Sequence, residues 1–140
     1  MRLIISGGGT GGHIYPALAI AEELQGRGAQ VLYMGGHAST EEKLSAAYGF
    51  DFQSVRTAAL HRRFPRIVAD LYENYRGLRQ AEKIIRDFAP RLVIGTGGFV
   101  TAPVLMAAQR LRIPTLLHEQ NAYPGLANRR LSRKAQAVCL

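Results

Sequence analysis

Ser6-Gly7-Gly8-Gly9-Thr10-Gly11-Gly12-His13 places five glycines in six positions between an apolar run and a helical pattern. Glycines there permit positive backbone dihedrals and close approach of a ligand. The unpaired N–H groups and dipole of a following helix favour an anion, so the natural guest is a phosphate or pyrophosphate at Gly11 and Gly12. The simpler reading is a tight strand-to-helix turn, which needs fewer glycines. Gly7, Gly9 and Gly12 also satisfy G-x-G-x-x-G, so a nicotinamide oxidoreductase must be weighed. That fingerprint requires an acidic residue at the end of the second strand for the ribose hydroxyls. The chain has Tyr33-Met34-Gly35-Gly36-His37 there, with neither an acid nor an arginine for a 2′-phosphate. His13 opens the helix, where the positive end of the dipole disfavours an imidazolium. A neutral imidazole beside a phosphate site acts either as general base or as a hydrogen-bonding group for the phosphate or loop.

Two further clusters sit at strand ends. Gly95-Thr96-Gly97-Gly98-Phe99 repeats the strand–glycine–helix pattern, and in an open parallel sheet both glycine turns would face the crevice beyond the carboxyl ends of the strands. His118-Glu119-Gln120-Asn121 makes a poor core and a good site rim. Glu119 could accept a sugar hydroxyl, and Asn121 could donate and accept together. His118 reads as a satisfied buried histidine. His13, His37, His61 and His118 show no metal-ligand spacing, and no metal or cofactor is expected.

The elements that must position these groups alternate between short apolar runs and helical patterns, which predicts an α/β, Rossmann-like parallel sheet with helices on both faces. Strands are expected over Arg2–Ser6, Gln30–Met34, Asp51–Val55, Leu92–Gly95 and Thr115–His118, with one more beginning at Ala137–Leu140. Helices are expected over about Ile14–Arg27, from a Thr40 cap to Tyr48, over Leu60–Phe88 with a possible division at Gly77, over Thr101–Leu111 and over Leu126–Ser132. The two glycine loops should lie at one edge of the sheet. In the long third helix Phe64, Ile67, Val68, Leu71, Tyr75 and Leu78 recur at spacings of three and four, and most of that stripe is expected to pack on the sheet. Arg62, Arg63, Arg66, Arg76 and Arg79 lie beside it and suggest a membrane-facing surface.

The 140 residues suit one domain over 1–140, and 47% hydrophobic composition is enough for one packed core. No apolar run reaches the ~18 residues of a membrane span, no signal peptide is evident, and Cys139 is the sole cysteine, which together suggest a cytoplasmic protein. The chain stops inside its last strand pattern, suggesting a piece of a longer protein. A net charge of +8 favours acidic partners, namely phosphorylated ligands or an anionic membrane face. No recognised nucleic-acid-binding pattern accompanies it, so nucleic acid is not expected.

GGGTGGHIYPALAIAEEL, GTGGFVTAPVLMAAQ and IPTLLHEQNAYPGLANR, three motifs in order along the whole chain, together resemble the N-terminal domain of glycosyltransferase family 28, the GT-B enzymes of peptidoglycan synthesis. The resemblance implies the acceptor-binding half of an inverting transferase. Such an enzyme moves N-acetylglucosamine from UDP-N-acetylglucosamine to undecaprenyl-diphospho-muramoylpentapeptide, at the cytoplasmic face of the bacterial plasma membrane. The UDP-sugar would bind a C-terminal domain absent from this chain, and the acceptor would bring the protein to an anionic inner-membrane surface. The resemblance carries the acceptor pyrophosphate onto Thr10, Gly11 and Gly12, deprotonation of the acceptor hydroxyl onto His13, a second loop onto Gly97, Gly98 and Phe99, and the cleft lining onto Glu119 and Asn121. Phe99 stands where the family often has tyrosine, and Ala58-Ala59-Leu60-His61-Arg62-Arg63 departs from a glycine-leucine-arginine run. A non-catalytic lipid- or glycan-binding module is the remaining alternative.

Overall fold

A computed structural model describes residues 1–59 and 62–140. Leu60 and His61, expected to begin the long helix and to lie in the divergent segment, fall outside the described residues. The elements are β1 (Arg2–Gly7), α1 (Gly11–Gly26), β2 (Gln30–Gly36), α2 (Thr40–Ala47), β3 (Asp51–Val55), α3 (Arg66–Phe88), β4 (Leu92–Gly97), α4 (Thr101–Arg110), β5 (Thr115–His118), α5 (Leu126–Ser132) and β6 (Ala137–Cys139). The strands form one parallel sheet in the order β3-β2-β1-β4-β5-β6. Strand order therefore reverses between β1 and β4, the two strands that carry the glycine loops.

The strand side chains alternate between two cores, as the period of two requires. Ile4, Leu32, Met34 and Val93 face one core, which α3, α4 and α5 cover through Ile85, Leu105 and Leu131. Ile5, Val31, Tyr33 and Ile94 face the other, covered by α1 through Ile14, Leu18 and Ala21. Burial on both faces explains why β1 and β4 read as unbroken apolar runs. The buried Glu82 carboxylate ties α3 to α4, with Arg79 at 3.2 Å and Arg110 at 2.8 Å.

The structure differs from the sequence reading at several boundaries. Helix α1 starts at Gly11, so Gly11 and Gly12 form its first turn. Ser39, not Thr40, caps α2: its Oγ accepts from the Glu42 amide at 3.2 Å, and Glu42 reaches back to the Ala38 amide. Gly77 does not divide the long helix; α3 runs unbroken for 23 residues. Gly77 is buried where a Cβ would overlap the Arg56 carbonyl oxygen, so its lack of a side chain serves close packing. The apolar stripe of α3 is also only half used. Leu78 packs into the core, whereas Val68, Leu71 and Tyr75 remain more than half exposed and Phe64, before the helix, is 82% exposed. None of the helices is long and apolar enough to cross a membrane, among the described residues.

Candidate functional site

The carboxyl ends of β1 and β4 bring the two glycine loops together. The Gly8 amide donates to the Gly97 carbonyl at 3.2 Å. Thr96 Oγ1 donates to the His13 carbonyl at 2.6 Å, and Thr101 Oγ1 reaches both the Gly97 carbonyl at 2.7 Å and the Ser6 carbonyl at 3.2 Å. Gly98, at φ +92°, lies against Gly8, where a Cβ would overlap the Gly8 carbonyl oxygen. Each loop is thus built on the other.

The start of α1 lies open beside this crossing. Thr10, the N-cap, makes no side-chain cap bond, and its carbonyl accepts from the amides of His13 and Ile14, both at 3.0 Å. The amides of Gly11 and Gly12 have no protein acceptor among the described residues, and the first turn contains no acidic side chain. Thr10, Gly11 and Gly12 are exposed. A Cβ at Gly12 would meet nothing nearer than Thr10 Oγ1 at 3.8 Å, and neither Gly11 nor Gly12 has a positive φ. The fold itself does not require glycine at Gly12. What glycine provides there is an unobstructed pair of helix-end donors.

His13 Nδ1 lies 3.0 Å from the Thr96 carbonyl. A carbonyl only accepts, so in the neutral ring Nδ1 carries the hydrogen and Nε2 keeps its lone pair. The Thr96 carbonyl also accepts from Gln120 Nε2 at 3.0 Å, linking His13 to the third cluster. Gly97, at φ +109°, leaves room for the imidazole: a Cβ there would sit 2.6 Å from His13 Nδ1.

In the third cluster Glu119 is buried, at 4% exposure. Its Oε1 accepts from the backbone amide and the side-chain amide of Asn121, both at 3.0 Å, and its Oε2 accepts from Asn128 Nδ2 at 2.8 Å. Desolvation by burial pushes this carboxyl up, but the bonds from Asn128 and Asn121 and the nearby His13 outweigh it, leaving Glu119 below its ordinary value. These bonds hold Asn121 at the rim with its Oδ1 left to accept, and Glu119 itself lines a cavity together with His13. His118 is not the satisfied histidine expected, because its buried Nδ1 has no hydrogen-bond partner among the described residues.

Phe99 is 59% exposed and separates two cavities. One, of about 640 Å³, is reached by His13, Gly98, Glu119 and Asn121, and its apolar wall includes Tyr75 and Met106. The other, of about 830 Å³, lies beyond the carboxyl ends of β2 and β3 and meets the first loop at Gly9. Sequence reading missed Asn128 and Asn74. Asn74 Nδ2 donates to the Ala58 carbonyl at 2.9 Å and pins the described part of the divergent segment to α3. Asn128 lies within the quoted third motif, but only the fold brings it to Glu119, nine residues away.

Residues 3–140 match the glycosyltransferase family 28 N-terminal domain. The chain is 50% identical over its whole length to the UDP-N-acetylglucosamine–N-acetylmuramyl-(pentapeptide) pyrophosphoryl-undecaprenol N-acetylglucosamine transferase of Halothermothrix orenii, covering 38% of that protein. It is 51% identical over 99% of its length to the transferase of the same description from Desulforamulus reducens, again 38% of that protein. The crystal structure of Acinetobacter baumannii MurG superposes on 99% of this chain with a TM-score of 0.87 at 32% identity, the match covering 40% of the MurG chain. The present chain thus spans about two fifths of the length of these relatives, and it belongs to glycosyltransferase family 28, matching the family's N-terminal domain.

Proposed function

We propose that this chain is the acceptor-binding half of an inverting N-acetylglucosaminyltransferase acting on a polyprenyl-diphosphate-linked muramyl-pentapeptide. One observation carries the reading: the amides of Gly11 and Gly12, unpaired among the described residues, open beside an imidazole whose Nδ1 is committed to Thr96. The diphosphate of the acceptor rests on those amides and on Thr10. His13 Nε2 takes the proton of the acceptor hydroxyl as its oxygen attacks the anomeric carbon of the sugar donor. The bond from that carbon to UDP breaks on the opposite face, so configuration inverts. Asn121, held by Glu119, accepts from an acceptor hydroxyl, while Gly97, Gly98 and Phe99 form the facing wall. UDP-N-acetylglucosamine is supplied from the C-terminal domain of the complete protein.

The prenyl chain calls for an apolar surface near a bilayer. Phe64, Val68, Leu71 and Tyr75 are exposed along one end of α3, beside exposed Arg62, Arg63 and Arg66. A contiguous exposed apolar group bordered by cations suits an anionic membrane face. An oxidoreductase is disfavoured because β2 itself ends in Gly35 and Gly36 rather than in an acidic residue.

The test uses the complete protein with UDP-N-acetylglucosamine and a short-chain prenyl-diphospho-muramyl-pentapeptide, following UDP release. The parent should turn over, and Gly12→Val should lose acceptor affinity while remaining folded, since the protein leaves room there. Turnover with nicotinamide cofactors instead, or full acceptor affinity in Gly12→Val, would overturn the reading.

A further inference from the structure

The larger cavity has no part in the chemistry just described. It lies on the far side of Phe99 from His13 and is more polar than the smaller one. Glu41, in the first turn of α2, contributes to its wall although the residue is only 4% exposed. Glu41 Oε1 accepts from the Gly36 amide at 3.0 Å, and Oε2 has no hydrogen-bond partner among the described residues. The side chain lies against Gly8 and Gly35, which have no Cβ to exclude it. A buried carboxylate with half of its accepting capacity uncommitted seeks a donor. Across the cavity, Arg56 pairs with Glu73 at 3.5 Å, both side chains partly exposed. An exposed pair of that kind is worth little and exchanges readily for another carboxylate. Ser54 and Thr57 add hydroxyls to the same wall.

We infer that this cavity receives the peptide of the acceptor, with Glu41 accepting from a peptide N–H or ammonium and Arg56 exchanging Glu73 for a peptide carboxylate. The inference rests on the acceptor reading above and assigns the one part of that acceptor still without a place. The prenyl chain needs an apolar surface, the diphosphate needs the Gly11 and Gly12 amides, and the reacting hydroxyl must meet His13. A peptide needs donors and acceptors together, plus partners for charged groups, and the larger cavity supplies both. Its opening at Gly9 adjoins the diphosphate loop, so a sugar seated there directs its peptide substituent past Phe99 into the cavity. A volume of about 830 Å³ is within the range of ligand-binding clefts.

The experiment measures, in the complete protein, the preference for a prenyl-diphospho-muramyl-pentapeptide over the same acceptor lacking its peptide, as the ratio of kcat/KM values. The parent should prefer the peptide-bearing acceptor. Glu41→Gln keeps the bond to Gly36 but loses the charge, and should reduce that preference by ~10-fold, the scale of a charge-assisted hydrogen bond. Ser54→Leu, which narrows the cavity away from the glycine loops, should reduce it as well. A parent indifferent to the peptide would overturn the inference, and so would variants that slow both acceptors in equal proportion, since Glu41 would then only brace the first loop. A parent inactive on both acceptors would instead refute the transfer reading, and this inference with it.

Discussion

His13 is held from three directions. Its helix fixes the backbone, Thr96 fixes one ring nitrogen, and Gly97 leaves the ring its space. In the complete protein, His13→Ala should lower kcat by ~100-fold or more with little change in acceptor KM, because a positioned base acts in the transition state. Weaker acceptor binding at unchanged kcat would assign the ring to binding alone. Glu119 invites a test by pH. Its folded-state carboxyl lies below the ordinary value of 4.5, so the unfolded chain binds protons more readily in acid. The stabilisation is therefore full above that ordinary value and is lost as pH falls through the folded one. Urea unfolding at a series of pH values should show the parent weakening below about pH 5, and Glu119→Gln weakening less steeply over the same range. Identical slopes would mean that the bonds from Asn121 and Asn128 do not favour the ionised form.

At the scale of elements, α3 carries the sharpest expectation. Alanine is a better helix former than glycine by ~1 kcal/mol, so Gly77→Ala would stabilise a free-standing helix. Here the new Cβ would overlap the Arg56 carbonyl, a backbone oxygen that cannot rotate aside, and overpacking costs ~1–3 kcal/mol. The steric term should win, giving net destabilisation of ~1 kcal/mol in urea unfolding; a more stable variant would show that the strand-to-helix connection yields. The same glycine shows where sequence reading runs out. A glycine inside a helical pattern looks like a break, and only tertiary packing shows that it admits another backbone. The start of α1 was misplaced for a related reason, since glycines and Pro16 are poor helix formers and disguised its first turn. Strands were easier to place: β1 and β4, buried on both faces, leave continuous apolar runs, and β3 and β5 match their expected bounds. The three site motifs were visible because glycines and polar residues cluster at strand ends. The Glu119–Asn128 bond and the Asn74 clasp were not, because they join separate elements. The exposed half of the α3 stripe was also hidden, since periodicity reports a face but not what covers it.

For the molecule as a whole, the distribution of polar and apolar surface leads to two expectations. With its exposed Phe64, Val68, Leu71 and Tyr75 beside three exposed arginines, the protein should co-sediment with anionic vesicles more than with neutral ones, and the difference should shrink with salt. Equal binding to both would remove the charge-based part of that surface. The second expectation concerns catalysis. On the proposed reading the site offers donors for a diphosphate, a base for a hydroxyl and a braced asparagine, all suited to one reactant. Transfer also requires an activated sugar carbon within reach of that hydroxyl and stabilisation of the departing UDP. Positioning accelerates the reaction only when both reactants share one cleft at near-attack distance. Relatives of this chain are about two and a half times its length, since it covers 38% of them. The remaining length is where a donor site would lie. The 140 residues alone should therefore bind a prenyl-diphospho-muramyl acceptor weakly, UDP-N-acetylglucosamine scarcely at all, and transfer no sugar. Adding a separately produced C-terminal half should restore turnover in proportion to the complex formed. The measurement is UDP release by each half and by their mixture. Robust turnover by this chain alone would place both substrates within one domain and overturn the division of labour, whereas turnover that appears only on mixing would support it.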